Sequence, residues 1–150
     1  MDYKEIKTFE DAVKALGIEE LPPALKEENK HLIPSHVIAM LKLEIITLAI
    51  NEGWSHIPDG RHLAYWPVFA FITPRKLDEM TYEEKVELGV IPAGDVSHVF
   101  AGLAFLNSYN AWSYSDAYLG SRLAYKSSDR ADYSGKQFIE LWKEYLLIPI

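Results

Sequence analysis

Fourteen consecutive residues, Val37 to Ile50, are apolar apart from Lys42, Glu44 and Thr47. Pro34 and Ser35 stand just ahead of them, where a helix start favours both types, and Gly53 follows as a stop. The expectation is a helix over about 35–51. Its apolar residues fall in two sets, Val37, Ile38, Leu41, Ile45 and Leu48, then Met40, Leu43, Ile46 and Ile50, which together cover most of the circumference. A helix of this kind is central to a core, so the rest of the chain must wrap it. Glu44, Thr47 and Asn51 form its remaining polar edge. The stretch is too short and too charged to span a bilayer, so no membrane is expected as a partner.

The chain has 150 residues, enough to bury about 70% of its unfolded surface in one core and too few for two. It has no cysteine, which leaves out disulfides, thiolate metal sites and thiol nucleophiles. Thr8 caps a short helix over about 9–16 that Gly17 closes, and residues 24–33 hold another helical turn or two. Residues 63–72 have strand composition. Pro67 removes a ladder donor there, so this strand is an edge or is bulged, and Pro74 ends it. Thr81 and Glu84 make a capping box for a helix over about 82–88 ending at Gly89. Residues 97–106 read as a second strand, with Gly102 marking a bulge or a close approach. Residues 107–120 read as an aromatic loop. Residues 121–126 read as a third strand, with Arg122, Ala124 and Lys126 on one face and Leu123 and Tyr125 on the other. A last helix is expected over about 129–146. Gly135 inside it costs about 1 kcal/mol against Ala, which implies close packing on a neighbour. The class is α+β: one domain over 1–150, a small antiparallel sheet of about three strands, and helices packed on one face.

An ordered series of segments carries a resemblance. It comprises Thr8-Phe9-Glu10-Asp11-Ala12, Asn51-Glu52-Gly53-Trp54, Tyr65-Trp66-Pro67, Gly120-Ser121-Arg122-Leu123-Ala124-Tyr125-Lys126-Ser127 and Tyr133-Ser134-Gly135-Lys136-Gln137-Phe138. The chain resembles small uncharacterised proteins of phages and mobile elements of Bacteroidetes-type bacteria. Residues 75–96 look like an insertion against that pattern. The resemblance implies a phage or mobile-element setting and supplies no activity.

The net charge is −7, which counts against a general duplex-coating or anionic-membrane protein. The last fifty residues are locally neutral, so Arg122, Lys126, Arg130 and Lys136 leave room for a local basic face. The mixed N-terminus has no apolar core of a signal peptide, and a cytoplasmic location is the default expectation. His56, Asp59 and His62 lie within seven residues and are the set from which a metal site would be drawn. Their spacing matches no established ligand pattern, so no metal and no cofactor is expected. No glycine-flanked serine elbow and no phosphate-cradling loop is present, and no catalytic residue is assigned.

The aromatic residues are the most informative: 4 Trp, 9 Tyr and 6 Phe. Phe69, Phe71, Phe100, Phe105 and Phe138 sit in periodic elements and read as core. Trp54, Tyr109, Trp112, Tyr114 and Tyr118 sit in loops among small polar residues, where the loops either fold over the sheet and bury the rings as a satellite core or present them as flat amphipathic contact area. The leading expectation is a non-enzymatic interaction protein that binds a protein partner or itself through these aromatic loops. The alternative is a single-stranded nucleic-acid binder. It would stack bases on Tyr65, Trp66, Trp112 or Tyr114 and hold phosphates with Arg61, Arg122, Lys126 and Lys136. A third, distant option is a metal-dependent hydrolase using His56, Asp59 and His62.

Overall fold

The computed structural model describes residues 2–57, 61–92, 102–111 and 121–147. Helix α1 (Phe9–Ala15) opens with Thr8 accepting a bond from the Asp11 amide while the Asp11 carboxylate takes the Thr8 amide, a reciprocal cap. Gly17 closes it at φ +64°. Residues 23–25 and 27–32 form only 3-10 turns. Helix α2 (Ser35–Ile50) then runs through the centre, with Ala39, Leu43, Ile46, Thr47, Ala49 and Ile50 buried. Strand β1 (Ala64–Ile72) follows. Pro74, expected only to end that strand, is instead the first residue of helix α3 (Pro74–Glu79), capped by Thr73. Helix α4 (Tyr82–Glu87) has the Thr81–Glu84 capping box, and Gly89 beyond it sits at φ +59°.

Strand β1 pairs antiparallel with a long strand at Gly102–Ala111, and a two-residue strand, β2 (Ile91–Pro92), pairs with the start of it; the long one is β3. The sheet is therefore built on two full strands rather than about three. The second strand reaches five residues beyond the expected end at 106, because Asn107, Ser108 and Asn110 pair with Val68, Pro67 and Tyr65 despite their polar character; residues 97–101 of that expectation, Phe100 among them, lie outside the described residues. A bulge falls between Val68 and Phe69, beside Pro67 on the outer strand of the sheet. Phe69 faces Phe105 and Val68 faces Asn107, so Leu106 is the extra residue. Gly102 begins the strand and makes no bulge.

The expected third strand over 121–126 is a 3-10 turn, Ser121–Leu123, followed by one isolated bridge between Tyr125 and Tyr65. Tyr125 exchanges both backbone bonds with Tyr65, at 3.0 and 2.8 Å. On either side, the Asn51 side chain takes the groups a ladder would need: its amide donates to the Ala124 carbonyl at 2.8 Å and its oxygen accepts from the Lys126 amide at 3.1 Å. A side chain from α2 thus occupies the place of a neighbouring strand.

The last helix is two helices, α5 (Ser128–Gln137) and α6 (Ile139–Leu146), parted at Phe138, whose φ −111° and ψ 26° leave the helical region. α6 packs along α2, and α5 lies on β1 and β3. Consecutive Trp66 and Pro67 are both buried, so the ribbon is covered on both faces there, by α5 on one side and by the segment around His56 on the other. One cluster joins Ile6, Ala12, Leu43, Ile46, Ile50, Trp66, Leu103, Tyr125, Phe138 and Trp142, and a smaller one joins Ile72, Met80 and Ala104. Phe71, read from the sequence as core, stands exposed.

Gly135 is where α5 meets the ribbon. A Cβ there would lie 2.4 Å from the Phe105 ring and 2.9 Å from Pro67 Cβ. In an unconstrained helix interior Gly→Ala gains about 1 kcal/mol. Here the sign reverses: Gly135→Ala is expected to lower the unfolding free energy by about 1–3 kcal/mol through overpacking. Urea denaturation of the two proteins checks this, and equal or greater stability of the variant refutes the tight contact.

Candidate functional site

The C-terminal half of α2 and the chain just beyond it make the most chemically varied surface. Glu44, Thr47 and Asn51 follow one another at helical spacing along one edge of α2. Together with Ile45, Leu48, Trp54, Ser55, His56, Arg122 and Ala124 they line a cleft of about 380 Å³. Asn51 caps the helix, Glu52 takes the left-handed region at φ +56° and Gly53 follows at +84°. Two successive left-handed residues turn the chain back sharply, and this brings Trp54 and His56 against the flank of α2. A non-glycine residue in that region costs about 1 kcal/mol. Glu52 is held there by Lys126 and by Arg130, whose Nη2 lies 3.1 Å from its carboxylate. Arg130 also donates through Nη1 to the Ile50 carbonyl, completing the end of α2. Both cations hold the Glu52 carboxyl below its usual range, the bond from Lys126 contributing most.

Beneath the cleft is a buried chain of hydroxyls. Tyr125 donates to Ser134 Oγ at 2.6 Å, and Trp142 Nε1 donates to the same oxygen at 3.3 Å. The Tyr125 proton being so used, Thr47 donates to the Tyr125 oxygen at 2.8 Å. Thr47 and Asn51 are therefore committed to internal bonds. Glu44, at the mouth, stands 3.6 Å from the Arg122 guanidinium. Its charge adds to burial in pushing the Tyr145 hydroxyl upward. His56 is buried between two indoles, 6.0 Å from the ring centres of both Trp54 and Trp66.

The structure gathers three of the residues singled out in the sequence, Trp54, His56 and Arg122, into this cleft. It separates others. Trp66 is 1% exposed and serves the core, so it offers no stacking face; its place on β1 opposite Tyr109, under the His56 ring, is the reason. Tyr65 is half-buried and bound to Tyr125 by the backbone bridge. Lys126 is turned to Glu52 and Arg122 lies 3.6 Å from Glu44, and the third strand expected to carry them on one face does not form. Arg61 and His62 are exposed, and Tyr109 stands out from β3. Asp59, Trp112, Tyr114 and Tyr118 lie outside the described residues. Among the described residues no three of His, Asp or Glu are grouped to hold a metal ion, and no helix is long and apolar enough to cross a membrane. Glu44 and Asn51 had no place among the sequence candidates; their signals were the polar edge on an otherwise apolar helix and, for Asn51, its place in the Asn51-Glu52-Gly53-Trp54 segment.

A second surface lies across the molecule. Val86, Leu88, Phe105, Leu106 and Ile139, with Asp132 and Lys136, line a groove of about 610 Å³ between α4, β3 and the last two helices. Val86, Leu88 and Leu106 are 61%, 47% and 53% exposed. Comparison with protein-family models, with curated proteins and with solved structures gives no match for this chain.

Burial pushes the Tyr125 hydroxyl up from 10.0 to about 12, against the opposing bonds to Ser134 and Thr47. Between these values the unfolded chain loses a proton that the native state keeps. The stabilisation is whole below pH 10.0 and is lost as pH rises toward about 12. Its slope is at most about 1.4 kcal/mol per pH unit. Tyr125→Phe is expected to cost about 1–3 kcal/mol at neutral pH, since it strips a partner from Ser134 and Thr47. The variant should also decline less steeply than the parent between pH 10.0 and about 12. Denaturation midpoints across that range check both effects, and parallel curves refute the assignment.

Proposed function

We propose that this is a non-enzymatic interaction protein, working in a phage or mobile-element setting, that binds a protein partner or a second copy of itself. The observation that carries the reading is the groove between α4 and β3, where Val86, Leu88 and Leu106 leave apolar side chains in water around a half-buried Phe105. Grouped exposure of this kind marks contact surfaces. Tyr109 adds an exposed aromatic ring farther along β3, in keeping with recognition through aromatic residues. The hydroxyls and amides near the cleft also favour binding over catalysis, because Thr47, Asn51, Tyr125 and Ser134 are tied into the framework. The single-stranded nucleic-acid reading is the weaker one. It loses Trp66 to the core and Lys126 to Glu52.

Sedimentation velocity over a range of protein concentration tests this. Concentration-dependent dimerisation is expected, and Leu106→Asp is expected to abolish it with unchanged circular dichroism. A parent that stays monomeric throughout removes the second copy as occupant. If the same monomer shows saturable, salt-sensitive binding to a labelled single-stranded oligonucleotide, the interaction reading falls to the nucleic-acid one.

A further inference from the structure

The cleft beside α2 is separate from the groove and carries its own chemistry. Its polar edge contains one formal negative charge, Glu44, whose side chain is 25% exposed. Its ion pair with Arg122 is loose: the separation is 3.6 Å, against about 2.7–2.9 Å for a charge-assisted bond, and the Arg122 side chain is 82% exposed. Such a pair contributes about 0–1 kcal/mol and is readily exchanged. Thr47 and Asn51, on the same edge, have spent their polar atoms on Tyr125, Ala124 and Lys126. On this edge the carboxylate is thus the acceptor left for a ligand, with the Ser55 hydroxyl elsewhere in the lining. The remaining wall is mostly aromatic and aliphatic, with Trp54, His56, Ile45, Leu48 and Ala124 beside Ser55. An indole face attracts cations through its ring quadrupole. The net charge of −7 raises the local concentration of positive ligands.

We infer that this cleft binds an organic cation, a primary ammonium or a guanidinium, held between the Glu44 carboxylate and the Trp54 indole. Arg122 occupies the rim as an internal stand-in that the ligand displaces. The inference rests on the cleft alone and stands or falls apart from self-association at the groove. Two sources share this chemistry, a small free amine and the basic side chain of a polypeptide.

The test follows the indole N–H signal of Trp54 in 15N-labelled protein, identified by its loss in Trp54→Phe. The probes are n-butylammonium, the blocked peptide acetyl-Gly-Lys-Gly-amide, and acetate as the anionic counterpart. A saturable shift with the cations and none with acetate is expected. Glu44→Gln, nearly isosteric, should weaken binding by about tenfold or more. Arg122→Ala should leave it unchanged or tighten it, because a competing cation is gone. Tighter binding of the peptide than of butylammonium identifies a polypeptide source, and equal binding identifies a small amine. No saturation with either cation overturns the proposal. So does binding that survives Glu44→Gln, or acetate binding that requires Arg122.

Discussion

The hydroxyl of Tyr125 is the point on which four parts of the chain meet. Through it Thr47 of α2 is linked to Ser134 of α5, and Ser134 in turn receives the indole of Trp142 from α6. The backbone of the same residue is bridged to Tyr65 of β1. A buried polar group left without partners costs about 1–3 kcal/mol, so each member of this chain requires the others to be in place. Apolar burial alone would let α2, α5 and α6 slide along one another. The hydroxyl chain fixes their register, and with it the position of every residue that lines the cleft.

The end of α2 shows how a locally unfavourable conformation becomes useful. Glu52 occupies a backbone region that suits glycine, and two cations on the approach to α5 and within it hold it there. The sharp reversal that results lays Trp54 and His56 along the helix they have just left. Asn51, one residue earlier, spends its amide on the segment 124–126 and so ties that segment down as a wall. A helix cap, a strained residue and a side chain imitating a strand together make a concave surface where a straight exit would have left none.

The sequence showed the elements that local rules control. The Thr8 cap, the Thr81–Glu84 capping box, the span of α2 and the closing glycines at 17, 53 and 89 are where composition and spacing placed them. Gly135 was legible as a close contact because an interior helix glycine needs a reason. What failed was decided at a distance. Alternation over 121–126 looked like a strand, yet only Tyr125 bridges to β1, and Asn51, arriving from far away in the chain, takes the groups on the opposite edge. β3 was ended too early because its polar residues gain their ladder bonds from β1, which hydrophobicity does not report. Of the site, Trp54 and Arg122 could be named but not joined. Glu44, separated from Arg122 by most of the chain, becomes a neighbour only through the packing of α2 on the segment after β3.

The way α5 holds the beginning of the chain bears on when this protein can fold. The hydroxyl of Tyr133 donates to the carbonyls of Lys4 and Ile6, and Gln137 donates to that of Lys7. Arg130 lies 4.4 Å above the ring of Tyr3. These partners are 127 to 130 residues apart. At ordinary rates of synthesis the N-terminal segment leaves the ribosome on the order of ten seconds before the helix that receives it. Over that interval the most apolar helix of the chain has neither Tyr125 nor Trp142 to close on. Translation speed through the codons for residues 51–147 is thereby coupled to how long the central helix stays uncovered on the nascent chain.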